Sequence, residues 1–422
     1  MNDNEKLDMI QRLSRAAGLF RPSGPIDRKS LFSGRSRQLI DVLSAVAEPG
    51  RHGVIFGERG VGKTSLAKVA HEFMPEFVIS LRVNCDPSDN FSSVWEKVID
   101  ELVAATHRSD WPHGEEDQIA ERAVELLRFD EVGPENVRHF LALLGEIAPT
   151  VVFLDEFDQL CDPATKSLLA NTIKTLSDNL VQATLVIVGV ADNVDELITE
   201  HRSVERSVAQ ILMPRMSRDE IEEIYRKGFP PLQLEVAEGL LERLIRLPQG
   251  LPYFAHRLGL EAARCAIRDN RFSLTANDLT HAISVAVQGA DESLTSAYVN
   301  ATASSHKTLF EDVLLACALT PGDAMGYFAP GDVRNPLKRV TGHSIDIPRF
   351  ARHLVQFCSN RGPVLERRGG EHRWRYRFIN PMMRPYVVMR AVDSGVSDDV
   401  LETAEPESPS DRLFEIPSDS EE

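Results

Sequence analysis

Eight residues constrain this chain more than any others: Gly57-Glu58-Arg59-Gly60-Val61-Gly62-Lys63-Thr64, a GxxxxGKT run. An apolar segment, GVIF at 53–56, precedes it, and TSLAKVAHEF, with apolar residues at helical spacing, follows. A strand, a glycine loop and a helix in that order gather backbone N–H groups and a helix N-terminus around one point, which makes an anion site. In such a loop Lys63 reaches the β- and γ-phosphates of a nucleotide, and the Thr64 hydroxyl takes a position on Mg²⁺. Glu58, Arg59, Val61 and Ser65 complete the candidate cradle with Gly57, Gly60 and Gly62. A plain Gly-rich turn would match the same letters, but it would not need a strand before it and a helix after it.

A second feature belongs with the first. Val151-Val152-Phe153-Leu154-Asp155-Glu156 is an apolar strand ending in two carboxylates, and Asp155 lies 92 residues after Lys63. Asp155 is placed to hold Mg²⁺ through water, and Glu156 to polarise an attacking water. Acidic residues also simply end strands; the phosphate loop is what gives these two a role.

From about 28 to 214, apolar runs alternate with helical periodicity, the mark of a parallel α/β unit. Strands are expected at 53–56, 77–84, 150–157 and 183–191, and their unbroken apolar character suits burial on both faces. Leu169, Ile173, Leu176 and Leu180 mark a crossover helix. The charged stretch 108–132 reads as a helical insertion. The box Ser217-x-x-Glu220 starts a new helix, and 217–300 reads as all-helical. Residues 1–27 read as a loosely held arm.

Charge decides how the remainder is read. The chain totals −17, yet residues 303–392 carry fourteen Lys/Arg against seven Asp/Glu, a net of +7. Residues 393–422 carry eleven Asp/Glu against Arg412 alone, and that Ser/Pro/acid-rich tail is expected to be disordered. A polyanion meets the local sign and not the total. With 42% hydrophobic residues the chain can bury a core. No apolar run reaches the roughly 18 residues of a membrane span. The acidic start shows no secretory signal, and five scattered cysteines fit neither a disulfide framework nor a zinc site. A cytoplasmic protein with reduced thiols and no membrane partner is expected.

Within 303–392, HKTLFEDVLLACAL (306–319) reads as a helix and 330–340 as a second. In 347–360, Phe350, Leu354, Phe357 and Cys358 define a buried face opposite Arg349, Arg352, His353, Gln356 and Asn360. VLERR, Gly369-Gly370 and HRWRYRF then make a hairpin, with Arg373, Arg375 and Arg377 on one face and Trp374, Tyr376 and Phe378 on the other. Three helices and a basic hairpin are the order of a winged helix-turn-helix. Arg349, Arg352 and Gln356 would face the bases of duplex DNA, and Arg367, Arg373 and Arg375 its phosphates. The alternative is that these arginines only solvate an edge strand and that the module contacts a protein.

Over about 28–390 the chain resembles the AAA+ ATPases, and within them the origin-recognition and helicase-loader branch with its bacterial single-chain relatives. Leu31-Phe32-Ser33-Gly34-Arg35 looks like the family's adenine-packing segment, which implies that Phe32 and Arg35 lie against the base. Val188-Gly189-Val190-Ala191-Asp192 is similar to the strand end bearing the sensor-one residue. Asp192 stands where relatives often carry Asn, with Asn193 beside it. His201-Arg202-Ser203-Val204-Glu205-Arg206 falls where the family places an arginine finger, Arg206 being favoured over Arg202. In place of the lid's Gly-Asp-x-Arg, this chain has Gly250-Leu251-Pro252-Tyr253. Gly-x-Pro looks like the adenine-contacting turn of STAND ATPases and marks Pro252, while Arg257, one turn later, could replace the missing arginine.

The resemblance implies an α/β P-loop NTPase (AAA+) parallel sheet (28–214), an all-helical lid (215–302), a C-terminal winged helix-turn-helix domain (303–392) and an acidic tail (393–422). It implies ATP and Mg²⁺ as cofactors, slow or fast ATP hydrolysis, an oligomer formed with ATP, and duplex DNA as partner. A STAND-like switch, or a defence or transposition subunit with a protein effector, is the other reading.

Overall fold

The computed structural model describes residues 3–22, 24, 34–107, 111, 115–127, 132–197, 205–304, 308–370 and 373–401. The chain forms two compact units. One is Ser23–Pro214; the other joins Met1–Pro22 to Arg215–Glu422. The first helix, α1 (Asp3–Leu19), therefore belongs to the second unit.

In the first unit, α2 (Ser36–Ala47) leads to β1 (His52–Gly57), α3 (Lys63–Phe73), β2 (Ile79–Asn84) and α4 (Phe91–Thr106). Helices α5 (Glu115–Leu127) and α6 (Pro134–Ile147) follow, then β3 (Thr150–Asp155), α7 (Pro163–Asp178), β4 (Ala183–Val190) and β5 (Val208–Leu212). The five strands pair in the order β2-β3-β4-β1-β5, all parallel. Burial follows position. Strands β1 and β3 are buried along their whole length, and β4 all but its last residue. Of the outer strands, β2 alternates, as an edge strand with one solvated face does, while β5 is buried only at Val208 and Ile211.

Each helix earns its place by an apolar stripe. In α4, Phe91, Val94, Trp95, Val98, Ile99 and Leu102 are buried, and Asn90 and Ser93 close a reciprocal capping box at its start. Trp95 packs edge-on against Phe140 of α6, with ring centroids 6.4 Å apart. The charged insertion contains α5, whose Ala120, Ala123 and Val124 are buried in the same core.

The second unit continues with α8 (Arg218–Gly228), α9 (Glu238–Arg246), α10 (Pro252–Arg268), α11 (Ala276–Gln288) and α12 (Glu292–Thr302). The stretch read as a loose arm is instead α1, docked on this bundle. Phe20, just beyond α1, is fully buried against Tyr225, Phe229 and His256. Gly228 and Gly259 form its slot: a Cβ there would lie 2.2 and 2.5 Å from the ring. The sequence pattern near 1–27 is weak because one aromatic residue, and not a long stripe, carries much of the attachment.

The module after 303 contains α13 (Phe310–Leu319), α14 (Arg334–Thr341), α15 (Ile347–Phe357), the antiparallel pair β6 (Leu365–Arg368) and β7 (Arg375–Phe378), and α16 (Met383–Asp393). Phe328 adds a third short segment to the pair: it exchanges backbone hydrogen bonds of 2.8 Å with Tyr376 in both directions. Among the described residues, no helix is long and apolar enough to cross a membrane.

Candidate functional site

The site of the first unit is built where β1 and β3 end. Strand β1 stops at Gly57, whose φ of 146° and contact with Met213 forbid a side chain: a Cβ would lie 2.4 Å from the Met213 carbonyl. Gly60 and Gly62 take φ values of 86° and 98°, which turn the loop into the first residue of α3, Lys63. Lys63 is only 8% exposed, and its ammonium donates to the Gly57 carbonyl at 3.0 Å and the Glu58 carbonyl at 2.8 Å. Burial pulls its pKa down to about 8, against the opposing pull of Asp158, Asp155 and Glu58.

Strand β3 delivers Asp155 to the same point. The Thr64 hydroxyl donates to Asp155 Oδ1 at 3.2 Å, while Arg82 on β2 donates to Oδ2 at 2.7 Å. The β2–β3 register explains the second contact, since Arg82 is paired with Phe153, two residues before Asp155. A hydroxyl and a carboxylate converging at the loop's end form the donor set that a hard divalent cation takes. Glu156 follows in the left-handed region, with φ 56°, and its side chain is exposed. Such a conformation costs about 1–3 kcal/mol for a residue with a side chain. Two backbone bonds hold it: the Glu156 N–H donates to Asp155 Oδ1 at 2.9 Å, and its carbonyl accepts from Gln159.

Asp158 ties this turn to the neighbouring strand by accepting from the Val190 N–H at 2.7 Å. Asp192 follows that strand end, and its N–H donates to Glu196. Asn193 caps the next turn, accepting from the Glu196 N–H at 3.1 Å. Arg206 is exposed in the short turn Glu205–Ser207 before β5. Arg202 and Phe32 lie outside the described residues. Arg35 is described and is 3% exposed; its guanidinium donates to the Val61 carbonyl at 3.2 Å and the Pro214 carbonyl at 2.5 Å, so it braces the loop from within. Arg82 and Asp158 escaped the sequence reading, although a lone arginine in the apolar run ISLRVN was a signal.

In the second unit, Pro252 is the first residue of α10, behind a turn in which the Gly250 carbonyl accepts from Met216 at 2.9 Å. Arg257 points to the end of α11, where a Cβ on Gly289 would lie 2.7 Å from its guanidinium.

In the C-terminal module Arg349 and Arg352 are exposed on α15 and Gln356 is partly exposed, while Phe350, Leu354 and Phe357 are fully buried. His353 departs from the expected polar face. It is 3% exposed, edge-on to Phe310 at 4.7 Å, and burial lowers its pKa. Arg367 lies over Trp374, 4.5 Å from the ring centroid, and Arg373 is exposed. Arg375 donates to the Tyr327 carbonyl and pairs with Asp323 at 3.3 Å, and Arg377 pairs with Glu366.

The five-strand parallel sheet and the glycine loop at the C-terminal end of β1 define a P-loop nucleotide-binding fold. Residues 31–188 match the family model described as AAA ATPase domain. The ATP-binding protein EcfA1 of the energy-coupling factor transporter of Lacticaseibacillus paracasei is 24% identical over 246 residues, 51% of this chain and 87% of that protein. Among solved structures, the Walker-type ATPase of Pyrococcus abyssi superposes with a TM-score of 0.52 at 18% identity, over 88% of this chain and 99% of that one. The ORC2 protein of Aeropyrum pernix superposes with a TM-score of 0.48 at 14% identity, over 90% of this chain and 97% of that one.

Proposed function

We propose that this chain binds ATP with Mg²⁺ at the loop 57–65, hydrolyses it with Glu156, and binds duplex DNA through the module after 303. One observation carries the nucleotide part: the Thr64 hydroxyl and the Asp155 carboxylate lie 3.2 Å apart beside the phosphate loop, with Glu156 next in the chain. Thr64 and Asp155 would hold Mg²⁺, which when bound supplies charge neutralisation on the phosphates. Lys63, released from the Gly57 and Glu58 carbonyls, meets the β- and γ-oxygens. Glu156, exposed and fixed by its backbone, orients the attacking water. Arg206, exposed ahead of β5, serves a neighbouring copy's γ-phosphate. An arginine supplied that way is worth about 10³–10⁵ in rate, so specific activity rises with protein concentration. Mixing Arg206→Ala with Glu156→Gln protein would then restore some activity.

The DNA part is supported by the split of α15 into a buried and an arginine-bearing face, next to a hairpin carrying Arg367 and Arg373. This is the arrangement expected of a winged helix. The test is duplex binding across a salt series, with and without ATP. Each phosphate contact contributes about −0.9 to the slope of log affinity against log salt. Removing Arg367 and Arg373 together should therefore flatten the slope by about two units, and Arg352→Ala should cost roughly 1–3 kcal/mol at a preferred site only. Absence of duplex binding at low salt in both states would overturn the DNA reading.

A second reading, a slow nucleotide switch whose C-terminal module contacts a protein, is favoured by two observations. Arg257 is turned to the end of α11, and Arg375 and Arg377 are already paired with Asp323 and Glu366. Duplex binding that is absent, with ATP turnover retained, is the result that selects it.

A further inference from the structure

A cavity of about 750 Å³ opens in the C-terminal module between the end of α12, the start of α13 and α15. That volume is in the range of ligand pockets, roughly 300–1,000 Å³. One wall is aromatic: Phe310, with the buried His353 edge-on to it at 4.7 Å. Arg361 lies 3.7 Å over the Phe310 ring and is fixed there by donating to the Ala301 and Ala303 carbonyls at 3.2 and 2.6 Å. Arg352, on α15, also lines the cavity. A half-buried aromatic ring among polar side chains, with two arginines in the lining, fits a short segment with an aromatic residue flanked by carboxylates.

The chain contains such a segment. Residues 402–422 lie outside the described residues and carry eight Asp/Glu against one Arg. Their only cluster of large apolar side chains is Asp411-Arg412-Leu413-Phe414-Glu415-Ile416. The described chain ends at Leu401, which is 7% exposed in a turn on the same module, Asp398–Leu401. From there to Leu413 an extended span reaches about 40 Å, and a module of some ninety residues has a radius of gyration of only about 12 Å. We propose that this acidic tail segment occupies the cavity in cis, with Leu413 and Phe414 against Phe310 and with Asp411 and Glu415 facing Arg352 and Arg361. On the DNA reading proposed above, the seated segment also covers Arg352 and Gln356, so tail and duplex compete for one face.

The test uses the full chain and needs no DNA, so it stands or falls apart from that reading. Phe414 is replaced by p-benzoylphenylalanine, the protein is irradiated at low concentration, and the adducts are mapped by mass spectrometry. The expected result is intrachain adducts within 300–304, 308–310 or 352–361. Asn300→Trp, which narrows the cavity from α12 without touching the arginines, should cut the adduct yield several-fold at an unchanged melting temperature. Raising the salt from about 0.1 to 1 M, which shortens the screening length from about 10 to 3 Å, should lower the yield as well. Adducts elsewhere in the chain, adducts joining two copies, or no adducts at low salt would each overturn the proposal.

Discussion

Lys63 couples nucleotide binding to a proton in a way that can be worked through in advance. Burial holds its ammonium near pKa 8 when it bonds only to the carbonyls of its own loop. A phosphate favours the charged form, so in the bound state the pKa returns towards or above its ordinary 10.5. The free protein is then half protonated at pH 8 and about one-tenth protonated at pH 9, whereas the complex stays protonated. Affinity should therefore be nearly flat below pH 7.5 and fall about eightfold between pH 7.5 and 9, since each pKa unit is worth about 1.4 kcal/mol. The terminal phosphate ionises near pH 6 and adds no slope in that window. Titration calorimetry of ATP at pH 8, in two buffers of different ionisation enthalpy, should report uptake of about half a proton per nucleotide bound. Lys63→Arg, which stays charged throughout, should bind with no such slope whatever its affinity. A flat affinity to pH 9 with no proton uptake at pH 8 would refute the argument that burial, more than the neighbouring carboxylates, sets this group.

Three other perturbations follow from the same contacts. Arg82→Gln removes the cation from a carboxylate whose side chain is only 2% exposed, and should cost roughly 1–3 kcal/mol without ligand; Mg²⁺ with ATP should then raise the melting temperature of this variant more than that of the wild type, and an equal gain would refute the pairing. His52 and His256 are buried, one in each unit, and burial lowers both to about pKa 4. Unfolded histidine takes up its proton near 6.5, so stability is complete above that pH and is lost as pH falls from 6.5 towards 4. Urea unfolding should show a loss of about 1.4 kcal/mol for each histidine by pH 5.5, within the unit that holds it, and equal stability at pH 7 and 5.5 would contradict the burial argument. Gly228→Ala should undock α1, because its Cβ would meet the Phe20 ring at 2.2 Å; slowed proteolysis near residue 20 in that variant would be the contrary result.

What the sequence discloses here depends on how local the physics is. The strand, loop and helix around 53–73 are contiguous, so glycine spacing and apolar periodicity expose them directly. Strands β3 and β4 are equally plain because they are buried on both faces and read as unbroken apolar runs. Strand β5, VAQIL, escapes because an edge strand of five residues alternates weakly. Arg82 escapes for another reason: it meets Asp155 only through the register of β2 on β3, across 73 residues of chain. The Phe328 segment against β7 and the burial of His353 under Phe310 are likewise long-range outcomes. Helical periodicity marks which face of α15 is apolar, but α13 decides how far round that face the burial extends.

The account rests on the loop, Thr64, Asp155 and Glu156 working as one site, and one comparison tests that most directly. Wild-type and Glu156→Gln protein are each assayed for equilibrium binding of ATP with Mg²⁺ and for steady-state release of phosphate. The account predicts equal binding within a few-fold and a turnover at least 10²-fold slower in the variant, the lower end for a positioned general base. Phosphate release by Glu156→Gln at the wild-type rate, with binding intact, would contradict it.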